Sequence, residues 1–267
     1  MRIPDIPLKT SIDVARIRRA SRTAESVLKA LHGLLRPGMS TMQVDGICAD
    51  LIDASGCTPA LRGYRGFTGC ICTSVNAVAA HGVPGAEVLR EGDIVTIDLT
   101  VEYDGWYSDA AWTYVIGSAS PEARRLVKTA WQSLLAGILA ARAGGRIGDI
   151  GAAVKRTAER NGCAVLEDFA GHGIGRSMHE EPVVLHTGTP GMGMPIVPGM
   201  VFTIEPVLCL GTPEYRLLED GWSCRTSDGS LAAQFEHTIA VFRDRTEILT
   251  SSHGNIRRCL DFPPVFE

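Results

Sequence analysis

The sequence predicts an α+β fold in which helices and antiparallel strands form separate groups. Two helical patterns come first, a group of β-rich runs follows, and the same order repeats in the second half. Strands that are segregated from helices along the chain are typical of α+β proteins. An Asp-Gly dipeptide between two β-rich runs adds an antiparallel hairpin to the first strand group. The order of elements therefore predicts two similar halves, although no residue-level repeat is visible.

The first pair of helices is delimited by capping and stop signals. Thr10 or Ser11 can cap the first helix, and Pro37 is expected to stop it. The segment Ser40-Thr41-Met42-Gln43 resembles a capping box, so a second helix is expected from there to Gly56.

The second pair of helices carries similar signals. The third is expected to begin at Ser120-Pro121, because proline suits the first helical position, and to end near Gly144-Gly145. Asp149 is expected to cap the fourth, which Asn161-Gly162 would end.

Five strands are expected between these helices. Each is a short β-branched or aromatic run bounded by glycine, proline or aspartate, and they lie at 70–75, 93–103, 106–116, 200–208 and 234–242. The sequence shows no linker and no low-complexity segment, so residues 1–267 are expected to form one domain.

The composition argues against several classes of protein. A net charge of −4 gives no basic footprint, so nucleic acid is not an expected partner. No apolar run is long enough to span a membrane, and the first residues lack a signal-peptide pattern. The eight cysteines are scattered, and we interpret them as reduced, mostly buried thiols of a cytoplasmic protein.

The hairpin at Asp104-Gly105 brings two aspartates together. With a two-residue turn, Asp109 lies opposite Thr100. Asp98 then lies opposite Ala111, so both aspartates share one face as diagonal neighbours, roughly 7–8 Å apart at the backbone. Two carboxylates this close repel unless a cation lies between them. The hairpin therefore predicts a metal site.

Four residues of the second half could complete that site. His172 lies among three glycines, which would let the chain turn tightly and expose its side chain, and His179 follows it. Glu205 and Glu236 lie in apolar runs, so we expect both to be partly buried and to need a cationic partner. Each residue alone could be structural. Together the four carboxylates carry −4, which balances two divalent cations.

At these residues the sequence is similar to the methionine aminopeptidases, and specifically to the type I form. The similarity extends from about Ile12 to about Thr250 and rests on five ordered motifs. These motifs are Ser74-Val75-Asn76 with His81-Gly82-Val83-Pro84, the Asp98 hairpin, Gly171–Arg176 with His179–Pro182, Thr203–Pro206, and Gln234–Thr238. The absence of a long insertion between Glu205 and Glu236 favours type I. The resemblance implies a pseudo-two-fold pita-bread fold, with curved antiparallel sheets and outer helices, in a single catalytic domain.

The resemblance also implies a cofactor and a set of ligands. Two divalent metal ions (Co, Mn, Fe or Zn) would be bridged by Asp109 and Glu236. Asp98 would bind one ion, and His172 with Glu205 would bind the other. His237 matches a family position that is not a ligand, and we interpret it as structural.

The implied reaction is removal of the N-terminal methionine from nascent polypeptides. A hydroxide bridging the two metals would attack the scissile carbonyl, and Glu205 would transfer its proton. His179 would stabilise the oxyanion, and His81 would hold the scissile nitrogen. The implied partners are N-terminal peptide substrates met at the ribosome, and we expect a cytoplasmic monomer without nucleic-acid or membrane contacts.

The side-chain pocket departs from the family pattern. The residues that align with pocket positions are Tyr64, Phe67, Cys72, Met178 and Trp222. Phe67 replaces a common tyrosine, Met178 a common aromatic residue, and Leu61 lies near a common cysteine. The pocket is still apolar and suits a thioether, although strict methionine preference is in question.

Two alternatives remain open. A related pita-bread hydrolase with another substrate, such as an X-Pro aminopeptidase, would share the five ligands, but usually carries a sizeable N-terminal domain. A non-catalytic pita-bread binding protein would typically lose ligands, whereas all five are present here.

Overall fold

The computed structural model describes residues 6–252, which fold into four α-helices outside four small antiparallel sheets. The helices are α1 (Ser11–His32), α2 (Thr41–Ala54), α3 (Pro121–Ala140) and α4 (Ile147–Arg160). The strands of the first half are β1 (Thr58–Pro59), β2 (Cys72–Val75), β3 (Val78–Ala80), β4 (Ile94–Tyr103) and β5 (Trp106–Val115). A 3-10 turn, Tyr64–Gly66, lies between β1 and β2.

Ten further strands form the second half. They are β6 (Ala164–Val165), β7 (Ala170–Gly173), β8 (Glu180–Leu185), β9 (Val201–Ile204), β10 (Val207–Cys209), β11 (Tyr215–Leu217), β12 (Cys224–Thr226), β13 (Ala232–Gln234), β14 (His237–Val241) and β15 (Thr246–Ile248). This mixture confirms the predicted α+β class. The short strands β1, β3, β6, β7, β8, β11, β12 and β15 were not among those predicted.

Each half packs a pair of helices against a sheet. In the first half, β4 pairs with β1, β2 and β5, and α1 covers β4 and β5. In the second half, the five-stranded sheet has the order β15-β14-β9-β7-β8, and α3 and α4 pack on β9 and β8. Two three-stranded sheets, β13-β10-β6 and β11-β12-β3, complete the fold. The main core fills the space between helices and sheets and includes Leu28, Trp112 and Phe202.

The capping and stop signals in the sequence predict where the helices begin more closely than where they end. Thr10 caps α1 with a capping box, but the helix ends at His32, before Pro37, because Gly33 already forms the cap. Likewise α3 ends at Ala140, ahead of the expected Gly144-Gly145. Asp149 is not the cap of α4. The helix begins at Ile147, and the Asp149 carboxylate reaches back to accept the Arg146 amide at 2.7 Å.

Two predicted strands are each interrupted at an acidic residue. The expected strand 200–208 is divided into β9 and β10 at Glu205-Pro206, where proline offers no amide hydrogen to a ladder. The expected strand 234–242 is divided into β13 and β14, because the Glu236 amide donates to the Ala111 carbonyl of β5 at 2.8 Å. The chain therefore changes sheet at both glutamates.

The glycines around His172 do not form the tight turn expected from the sequence. Gly171 and Gly173 lie in β7, and their φ angles are not in the left-handed region. A Cβ atom on Gly171 would overlap the Thr203 carbonyl, and one on Gly173 would overlap the Glu181 carbonyl. The glycines are needed because neighbouring backbones approach β7 closely.

Candidate active site

All the predicted site residues line one cavity of about 650 Å³. The proposed ligands lie at its base: Asp98, Asp109, His172, Glu205 and Glu236. The remaining predicted residues that line it are His81, His179, Tyr64, Phe67, Cys72, Met178 and Trp222, together with Leu61. Residues that are distant along the chain therefore converge in one place.

The β4–β5 hairpin has the register that the sequence predicts. Thr100 pairs with Asp109, and Asp98 pairs with Ala111. Cys72 pairs with Asp98 across β2 and β4, so the pocket wall adjoins the acidic cluster directly.

The other candidate ligands, His172, Glu205 and Glu236, lie close to the hairpin residue Asp109 or to one another. Single ligand atoms of Asp109, His172 and Glu236 all lie within 4.8 Å of one another. His172 Nε2 lies 3.9 Å from Asp109 Oδ2 and 3.6 Å from Glu205 Oε1. Because a carbonyl can only accept, His172 Nδ1 must donate to the Gly173 carbonyl at 3.0 Å. That leaves the Nε2 lone pair facing the carboxylates, as a metal ligand requires.

A metal cation fits this cluster. Glu236 is 1% exposed and Asp109 is 6% exposed. Among the described residues, Glu236 Oε1 and Asp109 Oδ1 are buried without a hydrogen-bond partner. Buried carboxylate oxygens are costly unless they are paired or coordinate a metal. Carboxylates with one imidazole form a donor set suited to divalent transition metals.

Burial, together with the neighbouring carboxylates, raises the pKa values of the acidic cluster. Burial is the largest cause for Asp98, whose pKa lies well above its usual range, and the neighbouring Asp109 and Glu205 add to it. Burial also raises the pKa of Glu236 well above its usual range. Burial raises the pKa of Glu205 to about 8, although the hydrogen bond from Thr203 acts to lower it. Burial lowers the pKa of His172, so its imidazole stays neutral.

Three buried threonines that the sequence analysis did not select as site residues hold the carboxylates in place. The Thr100 hydroxyl donates to Asp109 Oδ2 at 2.8 Å. Thr203 donates to Glu205 Oε1 at 2.6 Å and accepts the His172 amide at 2.9 Å. Thr238 accepts the Asp109 amide at 3.0 Å. Thr203 could have been found from its spacing, because two residues apart in a strand share one face.

His186 is a further residue that the sequence analysis missed. It is fully buried, its Nδ1 donates to the Phe169 carbonyl, and its Nε2 accepts the Glu205 amide, both at 3.0 Å. Burial lowers the pKa of His186 to about 4, which matches a neutral ring with one donor and one acceptor. No spacing pattern distinguishes this histidine from an ordinary core residue.

The two other histidines lie above the acidic cluster. The Tyr64 hydroxyl is 3.0 Å from His179 Nδ1, and the His179 and His172 ring centroids are 4.2 Å apart. The His81 ring contacts Phe169 edge to face at 5.8 Å, and His81 has a left-handed φ of 56°.

Apolar side chains form the wall of the cavity beside these histidines. Phe67, Cys72 and Met178 are buried, and Trp222 meets Phe67 edge to face at 5.2 Å. His237, in contrast, lies outside the cavity lining. It is buried with Nδ1 2.8 Å from the Thr250 hydroxyl, in agreement with a structural role.

The pita-bread fold and the buried donor cluster define a metallopeptidase. The model of metallopeptidase family M24 matches residues 15–242, and the chain belongs to this family. Within it, the chain is similar to methionine aminopeptidase A of Synechocystis sp., with 44% identity over 246 residues, 92% of this chain and 97% of that protein. The solved structure of methionine aminopeptidase from Rickettsia prowazekii superposes with a TM-score of 0.91 at 38% identity, covering 92% of this chain and 100% of that one.

A more distant structure shares the fold alone. Xaa-Pro dipeptidase from Bacillus anthracis superposes with a TM-score of 0.71 at 21% identity, covering 92% of this chain and 62% of that one. Within residues 6–252, no helix is both long and apolar enough to cross a membrane.

Proposed function

We propose that the protein removes the N-terminal methionine from polypeptides with the help of two divalent metal ions. The observation that carries this proposal is the convergence of five metal-ligating side chains, two histidines and an apolar wall on one cavity. The similarity to methionine aminopeptidases over most of the chain supports the same substrate.

The proposed ligand set is the one that the resemblance to methionine aminopeptidases implies. Asp98, Asp109, His172, Glu205 and Glu236 would together hold the two ions, and the closeness of Asp109, His172 and Glu236 supports this set. When bound, two divalent ions lower the pKa of a water molecule and polarise the scissile carbonyl. Co, Mn, Fe and Zn all suit the donor set, and the protein is expected to accept more than one of them.

The chain's own residues then supply proton transfer and orientation. Glu205 would accept the proton of the attacking water and return it to the leaving amine, the general acid–base role. His179 donates a hydrogen bond to the developing oxyanion, with Tyr64 fixing the other side of its ring. His81, which lines the same cavity, would hold the scissile nitrogen.

The apolar wall would bind the methionine side chain. Phe67, Cys72 and Trp222 present aromatic and sulfur surface, which suits a polarizable thioether. Tyr64 and Met178 close the pocket beside His179. Because Met178 is unbranched and flexible, we expect tolerance for unbranched side chains related to methionine.

The proposed function also implies a domain organisation, an oligomeric state and a location in the cell. Residues 1–267 would act as one catalytic domain and as a monomer in the cytoplasm, where new N-termini emerge from the ribosome. Neither nucleic-acid binding nor membrane binding belongs to this proposal, since the net charge of −4 provides no basic footprint.

The test is release of methionine from a Met-Ala-Ser peptide. Activity should disappear with a chelator and return with Mn²⁺ or Co²⁺. An Ala-Pro-Ala peptide tests the alternative X-Pro activity, which the fold shared with Xaa-Pro dipeptidase suggests. Failure to cleave any Met-peptide with metal bound would refute the proposal, and preferential cleavage of Ala-Pro-Ala would favour the alternative.

A further inference from the structure

We infer that Lys9, in the segment before α1, positions Met178 and His179 by holding Glu180. This inference rests on the proposed function, because His179 matters as an oxyanion donor. The segment 174–179 joins β7 to β8, carries both cavity-lining residues and is called here the histidine loop.

Glu180, the first residue of β8, holds the histidine loop through hydrogen bonds to the loop backbone. Its Oε1 accepts the Arg176 amide at 2.7 Å and the Ser177 amide at 3.1 Å. Its Oε2 pairs with Lys9 Nζ, which also donates to the Pro7 carbonyl at 2.7 Å. One carboxylate therefore organises the backbone immediately before Met178.

The ion pair is largely removed from water. The Lys9 side chain is 5% exposed and that of Glu180 is 9% exposed. A buried carboxylate that loses its cationic partner is strongly destabilised, because its charge is no longer compensated. Without Lys9, we expect Glu180 to turn towards water and release the two amides.

Gly175 provides the space for the Lys9 side chain. Its φ is not in the left-handed region, so backbone conformation does not require glycine here. A Cβ atom would overlap Lys9 Cε and would lie 2.9 Å from Nζ. The glycine therefore leaves room for the Lys9 side chain, which would have to shift to accommodate a Cβ atom.

The other side of the histidine loop is attached to the metal-binding hairpin. The Tyr107 amide donates to the Gly175 carbonyl at 2.8 Å, and the Arg176 guanidinium lies 4.2 Å from the Trp106 ring centroid. Loss of Lys9 would thus leave one attachment intact and shift only the end that bears Met178 and His179. A misplacement of about 1 Å in a catalytic group can cost on the order of a hundredfold in rate.

The experiment compares Lys9→Met with Lys155→Met in the full-length, metal-loaded protein. Lys155 forms an exposed ion pair with Glu167 at 3.0 Å, so its variant controls for loss of a lysine charge. For Lys9→Met we expect kcat on Met-Ala-Ser to fall at least tenfold with unchanged metal content. Discrimination between N-terminal methionine and norleucine should also change, because Met178 moves. Lys155→Met should stay within twofold of the wild type in each property.

Hydrogen exchange provides a readout that does not depend on activity. The amides of Arg176 and Ser177 should exchange faster in Lys9→Met and remain protected in Lys155→Met. The double variant Lys9→Met/Glu180→Gln should recover part of kcat, because the amide oxygen can still accept both backbone hydrogens without a buried charge.

Three results would overturn the inference: wild-type kcat in folded Lys9→Met, loss of metal in that variant, or unchanged exchange at 176 and 177. Failure of the proposed function gives a different pattern. The wild-type protein would then be inactive on Met-peptides, while faster exchange in Lys9→Met would still support the role of Lys9 in the histidine loop.

Discussion

At the scale of single residues, the acidic cluster depends on hydroxyl groups that fix its carboxylates before any ligand arrives. Thr203 bonds to both Glu205 and the backbone of His172, so it sets the distance between two candidate ligands. Thr100 donates to the Asp109 carboxylate alone and so fixes the orientation of one candidate ligand. Such supporting contacts commonly contribute tenfold to a hundredfold in metal affinity.

Asp98→Asn tests the ligand role of the hairpin aspartate. The substitution removes one negative charge and leaves the strand pattern intact. We expect metal affinity to fall by more than the roughly hundredfold that supporting residues contribute, with a matching loss of turnover at limiting metal. Calorimetric titration with Mn²⁺ measures the affinity. Near-normal affinity would show that Asp98 is not a ligand.

His179→Ala tests the substrate-side role of that histidine. Loss of one oxyanion donor typically lowers kcat about 10²–10³-fold. Because His179 is proposed not to bind metal, metal content measured by elemental analysis should stay unchanged. If the variant instead loses its metal, His179 is a ligand and the proposed role is wrong.

Metal binding should depend on pH in a defined direction. The pKa of Glu205 is raised to about 8 in the metal-free protein, so at pH 7 this carboxyl is mostly protonated. A metal binds the carboxylate form and therefore displaces the proton. We expect affinity to rise with pH up to about 8, and proton release at pH 7 to appear as buffer-dependent heats in calorimetry. Affinity that is independent of pH between 6 and 8 would contradict this prediction.

Much of the candidate site could be predicted at this scale. The hairpin register followed from one Asp-Gly turn and was confirmed pair by pair. Thr100, Thr238 and His186 were missed, because buried threonine and histidine residues look the same in a sequence whether they contact a ligand or only fill the core. Only the fold shows that His186 meets the Glu205 amide.

At the scale of elements, contacts between neighbouring backbones explain two features that the pattern of residue types did not predict: the changes of sheet at two glutamates and the glycines of β7. Runs of β-branched and aromatic residues predicted continuous strands through Glu205 and Glu236, but the chain changes sheet at both. The strands before and after each glutamate are buried on both faces, so the residue types continue unchanged across the point where the sheet changes. The glycines of β7 were likewise attributed to a turn, although they make room for Thr203 and Glu181.

Gly173→Ala tests this explanation of the β7 glycines. The new Cβ would overlap the Glu181 carbonyl, and such overpacking typically costs about 1–3 kcal/mol. Gly46→Ala is the control, because Gly46 is exposed in α2 with nothing within 4 Å of a Cβ atom. Thermal unfolding should show a lower Tm for Gly173→Ala and an equal or higher Tm for Gly46→Ala. An unchanged Tm for Gly173→Ala would contradict the close approach.

At the scale of the whole molecule, the order of helices and strands predicted the fold class, and the family comparison confirmed the fold. Six of the eight strands that were not predicted, all except β7 and β8, have only two or three residues, which are too few to show a period. Their places are set by tertiary contacts, as in the pairing of β12 with β3.

Metal should stabilise the whole chain through mass action. A ligand that binds only the folded state adds about 2.7 kcal/mol at a hundred times its Kd. We therefore expect Mn²⁺ or Co²⁺ to raise Tm by several degrees in a single transition, and a chelator to reverse the shift. Asp98→Asn should show a smaller shift, and an equal shift in that variant would place the stabilising ion elsewhere.

The distribution of the donors has a consequence for how the protein is degraded. Asp98 and Asp109 come from the first half of the chain, whereas His172, Glu205 and Glu236 come from the second. In the proposed arrangement, a cation shared between them would act as a reversible cross-link that closes a long chain loop, much as a disulfide does. The metal-free protein should then open more readily between its two halves, and a protease should digest it faster than the metal-loaded protein.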